Sequence, residues 1–364
     1  MASSSTPRPY YPALDGLRGL AILLVVGFHN FDFIKYFSFG WLGVDLFFVL
    51  SGFLITRILL DTRIRPNFLR NFYLRRILRI APLYYLLLLV FFLLFPLLGI
   101  FREPLRYYQM HQAWFWVYLQ NWLYIIHPIQ GSNLLIHLWS LAVEEQFYLL
   151  WPFLLLWIRR PRVLLRLVGG MLATLLALRI LLWFLLPGSV SHFNVYIFTR
   201  VDGILVGCLL ALLQSTQWDF IRRHTAWIVL GLSAMNFLFY FLNRARMFSF
   251  PYFAFVGYTT FAVMFGLLVY EAARGENRLV RLVFGQGPLP FLGRVSYGFY
   301  LFFWPVFVLL TPPAESWLRD QLNWGPFASH LAATLLTTLL GFCLSIASFY
   351  YYESRFLAMK KYFA

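Results

Sequence analysis

The feature that most restricts this chain is a series of long apolar runs. A helix needs about 20 such residues to cross the hydrocarbon core of a bilayer. Ten segments meet that length: 14–34, 40–60, 80–101, 137–158, 167–186, 199–216, 225–242, 252–273, 291–311 and 327–350. An eleventh, 112–127 (QAWFWVYLQNWLYIIH), is shorter, rich in Trp and Tyr, and carries Gln120 and Asn121. That pattern suits an interfacial or re-entrant segment. Backbone polar groups inside lipid must be satisfied within each segment, so the expected fold is all-α. It is a polytopic membrane helix bundle of about ten transmembrane helices plus one aromatic segment. With 61% hydrophobic and only 12% charged residues, a soluble enzyme, a disordered tail and a disulfide scaffold are excluded. Cys208 and Cys343 both lie in apolar runs and read as small buried hydrophobes.

Charge then orients the bundle. The formal net charge is +16, from 30 Lys and Arg against 14 Asp and Glu. In a soluble chain this excess would suggest nucleic acid, but in so apolar a chain it points to positive cytoplasmic loops. With 112–127 kept out of the span count and the N-terminus inside, twenty positives fall on inner segments and six on outer ones. The outer six are Lys35, Arg102, Arg106, Arg244, Arg246 and Arg319; Arg18, Arg179, Arg200 and Arg294 fall within spans. Making 112–127 a span would move Arg159, Arg160, Arg162 and Arg166 outside. The expected organisation is a cytoplasmic tail at 1–13, one integral membrane domain at 14–350 and a cytoplasmic tail at 351–364. The polar start MASSSTPRPYYP, followed by Asp15, Arg18 and His29 in the first run, does not fit a cleavable signal peptide.

Ionisable residues inside spans are costly and mark a functional or tightly paired site. Arg18 and His29 are 11 residues apart, so they share a helix face about 20° from eclipsed and roughly 16 Å apart. The most economical partner for His29 is an intramembrane carboxylate. Counting residues from the span ends places His29, Asp45, Glu144 and Asp202 all in the outer half of the bilayer, with Arg200 beside Asp202. Taken singly, each reads most simply as a structural ion pair or helix cap. Four converging at one depth point to a reaction site. Arg76 and Arg79, three apart in FYLRRILRIAPLYY, share a face at the inner mouth of the third span. Loop bias explains most inner arginines, yet a close pair there also matches phosphate oxygens. Spacing alone leaves both readings open. No zinc-ligand spacing, nucleotide-binding glycine loop or serine-hydrolase elbow is present, and Gly43 and Gly52 read as close helix contacts.

The motifs together resemble one family. LDGLRGLAILLVVGFHNF is similar to the opening of the acyltransferase-3 family, which includes O-antigen and nodulation-factor O-acetyltransferases. The family's Arg and His, ten residues between them, match Arg18 and His29. Its second-span pattern resembles GWLGVDLFFVLSGFLIT, and its Arg-x-x-Arg motif matches Arg76 and Arg79. Its Glu-x-x-Phe-Tyr-Leu-x-x-Pro motif matches Glu144, Phe147, Tyr148, Leu149 and Pro152. GILVG, VSYGFYLF and FYYYES are similar too, so the resemblance covers about residues 13–357. There is one departure: Phe303 stands where many members carry a second His. Many members also append an extracytoplasmic domain, which a chain ending at Ala364 is expected to lack.

The resemblance implies an acyl-CoA donor, most simply acetyl-CoA, and no metal. It implies a carbohydrate acceptor such as lipopolysaccharide, exopolysaccharide or another surface glycan, at the bacterial cytoplasmic (inner) membrane. His29 would be the general base, since imidazole titrates near neutrality. Glu144 or Asp45 would orient it, and Arg76 and Arg79 would hold the CoA phosphates. Arg18 would pair with Asp15 or line the donor channel, and Tyr148, Arg200 and Asp202 complete the substrate-binding set. A covalent acyl-histidine, a small soluble acceptor such as a macrolide, a transporter and a non-catalytic membrane scaffold are the alternatives. Oligomeric state and acceptor are not written in these residues.

Overall fold

The computed structural model describes residues 11–34, 37, 40–185, 200–215, 220–242 and 252–363. The tail at 1–10 and the expected outer positives Lys35, Arg244 and Arg246 lie outside the described residues. Every described regular element is helical. In chain order they are α1 (Pro12–Asn30), α2 (Leu42–Thr62), α3 (Phe68–Leu98), α4 (Arg102–Met110), α5 (Gln112–Trp116), α6 (Gln120–Ile126) and α7 (Trp139–Trp157). There follow α8 (Pro161–Leu185), α9 (Asp202–Ser215), α10 (Phe220–Leu242), α11 (Phe255–Arg274), α12 (Arg278–Phe284), α13 (Pro288–Leu322) and α14 (Pro326–Phe363). Proline opens α1, α13 and α14, where its missing N–H costs nothing. Asn277 caps α12 by accepting from the Leu279 and Val280 amides at 3.1 and 3.2 Å.

Seven described helices are long and apolar enough to cross a membrane: α1, α2, α3, α8, α11, α13 and α14. The expected count of ten is therefore not reproduced by length and hydropathy alone. α9 is apolar but has only 14 residues, and α7 is diluted by Glu144, Glu145 and Gln146. α13 and α14 run 35 and 38 residues. At about 1.5 Å per residue they exceed the roughly 30 Å hydrocarbon core, so both continue past it. α14 carries residues 351–363 of the expected tail as helix, through a π turn at Phe349–Glu353. Cys208 is buried, but Cys343, expected inside, faces outward from α14.

The segment 112–127 breaks into α5 and α6. Tyr118 adopts φ 55°, a left-handed conformation disfavoured for a bulky residue. Its surroundings hold it there: its ring stacks on Tyr84 at 4.3 Å, and its carbonyl accepts from Gln146 Nε2 at 2.8 Å. Gln120 and Asn121 are fully buried against protein, donating to the Leu138 carbonyl and accepting from Gln146. Neither piece is long enough to span.

Glycines let the inner helices approach. A Cβ on Gly52 would lie 1.9 Å from the Ile204 carbonyl oxygen, and one on Gly207 2.2 Å from that of Val49, so α2 and α9 touch backbone to backbone. Gly43, expected at a helix contact, abuts the Ala21 carbonyl oxygen at 2.3 Å by the same measure. α1 packs against α13, which packs against α14, while α3 lies across α13 and the end of α14. α7 is tied to α2 by a buried bond from Trp151 Nε1 to Thr56 Oγ1 at 2.9 Å.

Candidate functional site

α2 separates two sets of buried charge. Asp45 and Gly52 are seven residues apart and share the face packed on α9. Val44, Phe47, Phe48 and Ser51 look the other way, into a chamber of about 100 Å³. This chamber is closed by α1 (Arg18), α3 (Arg76, Arg79), α7 (Ser140, Glu144, Tyr148) and α13 (Ser296, Tyr297, Tyr300). A second, wider space of about 230 Å³ is lined by Arg65, Phe68, Phe72, Arg75, Lys360 and Phe363. Arg18, Ser51, Arg76 and Arg79 line both, so the vestibule leads into the chamber.

Inside the chamber Glu144 is the organising group. Ser51 Oγ donates to Glu144 Oε1 at 2.9 Å, and the Tyr148 hydroxyl donates to Oε2 at 3.1 Å. Glu144 and Tyr148 meet because they are four residues apart on one helix face. The Arg76 guanidinium lies over the Tyr148 ring, 3.7 Å from its centre. Arg76 and Arg79 share a face, as the spacing predicts. Among the described residues neither makes a salt bridge, and Arg76 Nε is buried without a hydrogen-bond partner. Arg18 does both things expected of it: Nη1 donates to Asp15 Oδ1 at 2.7 Å, and the side chain lines both spaces.

The four residues grouped by depth part company. Asp45, expected to orient His29, instead accepts from Arg200 Nη2 at 2.8 Å on the α9 side. Its face of α2 is fixed by the glycine contact with α9, which turns it away from the chamber. Arg200 lies over the Tyr258 ring at 4.0 Å. Asp202 accepts from Arg179 Nη1 at 3.0 Å and from Thr259 at 3.1 Å. All four charged side chains are at most 4% exposed.

His29 bonds no carboxylate. Its Nδ1 is 2.8 Å from the Val25 carbonyl oxygen, an acceptor, so the bond puts a proton on Nδ1 and leaves Nε2 as the nitrogen free to exchange one when the ring is neutral. Phe28, Phe303 and Trp304 surround the ring at 5.1, 5.6 and 5.1 Å. His29 does not line the chamber. Phe303 touches both His29 and, at 6.0 Å, the chamber residue Tyr300. The Tyr300 hydroxyl bonds Ser140 Oγ at 2.7 Å and also reaches the His137 carbonyl.

Several lining residues escaped the sequence reading. Ser51 and Ser140 looked like ordinary membrane-helix serines, and nothing local marks Tyr300. Lys360 sat in an apparent tail. Glu353 lines neither space, but as a carboxylate in the apolar FYYYES run its cost alone marks it. It is buried against Gly298, accepts from Ser348 Oγ at 3.1 Å, and its charge acts on Arg79.

No solved structure matches this chain. It is 32% identical over 357 residues to the peptidoglycan O-acetyltransferase OatA of Listeria monocytogenes, covering 92% of this chain and 55% of that protein. It is 35% identical to the putative peptidoglycan O-acetyltransferase YrhL of Bacillus subtilis, covering 91% and 53%. It is 29% identical to the O-acetyltransferase OatA of Staphylococcus aureus, covering 92% and 56%. The chain thus spans about half the length of the curated relatives it matches. The family described as Acyltransferase domain matches residues 11–346, which takes in every helix that lines the chamber. With that match lying on the Arg18, Arg76–Arg79 and Glu144–Tyr148 constellation, the chain belongs to the acyltransferase-3 family of multi-pass membrane proteins.

Proposed function

We propose that this protein is an O-acetyltransferase that moves an acetyl group from acetyl-CoA to a hydroxyl of a cell-surface glycan, of which peptidoglycan is the nearest kind. The observation that carries the reading is the arginine-lined vestibule opening into a polar chamber. Among the described residues Arg76 and Arg79 make no salt bridge there, which suits the phosphates of a CoA donor. The relatives named as peptidoglycan O-acetyltransferases favour a glycan acceptor over a macrolide or a transported solute. The inner-side clustering of positives supports a cytoplasmic donor, both termini inside and a bacterial cytoplasmic membrane.

In this reading Arg76 and Arg79 hold the phosphates and the pantetheine arm runs through the chamber toward Tyr300. The acceptor hydroxyl gives its proton to His29 Nε2 as its oxygen attacks the thioester carbonyl. The C–S bond breaks, and the CoA thiolate leaves as the thiol with the proton that His29 took from the acceptor. The Val25 carbonyl, rather than a carboxylate, sets the imidazole tautomer. Glu144 fixes Ser51 and Tyr148 along the thioester path. One observation favours a second assignment: the Ser51–Glu144 bond lies in the chamber itself, which would make Glu144 the base.

Purified protein with acetyl-CoA and a glycan oligosaccharide tests both, read as acetyl ester by mass spectrometry and as released CoA. His29→Ala is expected to lower transfer by about 10²–10⁴-fold, the usual worth of a general base. Near-wild-type transfer by folded His29→Ala, with the loss appearing in Glu144→Gln, would move the base to Glu144. No acetyl ester from the wild-type chain with any glycan would sink the activity itself.

A further inference from the structure

Lys360 belongs to the last turn of the chain and lies beyond the residues 11–346 that the family match covers. It is nevertheless part of the vestibule wall. Two contacts bring it there. The Tyr352 hydroxyl donates to the Pro82 carbonyl at 3.3 Å, and Arg75 Nη1 donates to the Phe363 carbonyl at 3.5 Å, so the end of α14 folds along α3. The side chain is half-buried, and the charges acting on it are those of Arg79, Arg76, Arg75 and Arg18. Among the described residues no carboxylate side chain lines the vestibule. Among the described residues Lys360 makes no salt bridge.

Placing an ammonium among four guanidinium groups, partly out of water, is unfavourable for an empty site. Such clustering becomes favourable when a polyanion enters. Arg76 and Arg79 stand where the vestibule narrows into the chamber, whereas Lys360 lines the vestibule alone. A ligand reaching both must carry more than one phosphate group. We propose that Lys360 is a phosphate-binding residue, holding a phosphate of the donor other than the one at Arg76 and Arg79. This rests on the CoA reading above for the identity of the donor, and on the vestibule alone for the anion.

The test uses the full chain in detergent micelles, as wild type, Lys360→Gln and Lys360→Arg, titrated with inorganic pyrophosphate, CoA and 3′-dephospho-CoA. Lys360→Gln is expected to weaken pyrophosphate and CoA by about tenfold, the loss of one charge-assisted contact, and Lys360→Arg to restore most of it. The ligand-free melting temperature of Lys360→Gln should equal or exceed that of wild type, because a repelled charge has been removed. A lysine with a merely structural role would lower it. Unchanged affinities in Lys360→Gln, or a variant that no longer folds, would overturn the proposal. If Lys360 governs pyrophosphate binding while CoA does not bind, the phosphate site stands and the CoA reading falls. If CoA binds with Lys360 indifferent, the reverse holds.

Discussion

The two faces of α2 carry similar residues to opposite ends. On the α9 side, Asp45 and Asp202 meet Arg200 and Arg179 one to one, with all four side chains almost wholly buried. On the chamber side, Arg18, Arg76 and Arg79 stand with Glu144 around open space; Arg18 pairs with Asp15, and among the described residues Arg76 and Arg79 make no salt bridge. Residue type does not distinguish these regions, and neither does depth. Pairing and open space do. Charges paired in a packed interior hold helices in register, whereas charges around a void have room beside them for a ligand.

The largest effect should come from breaking the closed side. Asp202→Ala takes the carboxylate away from the buried Arg179 guanidinium, which costs about 3–5 kcal/mol and is read by thermal unfolding in detergent. Replacing both partners, Arg179→Leu with Asp202→Leu, should recover most of that loss, since a buried pair gains little over apolar packing. A double variant as unstable as the single one would mean the pair does more than neutralise itself.

The open side should behave the other way. Arg79→Ala is expected to raise the KM for acetyl-CoA by about 10–100-fold, the worth of a charge-assisted contact, with little change in unfolding temperature. A large stability loss there would erase the contrast between the two faces. Ser51→Ala removes one hydrogen bond to Glu144 and should cost about 1 kcal/mol, seen as a several-fold drop in transfer. The smallest effect belongs to the exposed end of α13. There Arg319, which pairs with Glu315 and is 45% exposed, should change stability by less than about 1 kcal/mol on substitution by Ala.

Much of the architecture was legible in the chain. The apolar runs located the long helices because a helix in lipid must be apolar for about 20 residues. Where the run was short or interrupted, as in α9 and α7, the sequence still marked a helix but not its span. At 112–127 the aromatic composition suggested an interfacial or re-entrant piece. The break at Tyr118 depends on Tyr84 and Gln146, which are distant in sequence.

Within the site, local spacing carried some pairs. Arg76 with Arg79, Glu144 with Tyr148 and Asp15 with Arg18 each lie three or four apart on one helix, so helical geometry alone joins them. The rest required packing between helices. A residue count gives depth along an axis but not the direction a side chain faces. Rotation about that axis is set by contacts such as Gly52 on Ile204, and it sends Asp45 to Arg200 and Ser51 to Glu144. Lys360 shows the same limit at the chain's end, since only the fold of α14 along α3 turns a tail lysine into a wall of the vestibule. The sequence by itself thus determined a helical membrane bundle, its longest apolar helices and its pairs within single helices. Only the tertiary structure decided which charges neutralise each other and which line an open space, because that depends on the rotation of one helix against another.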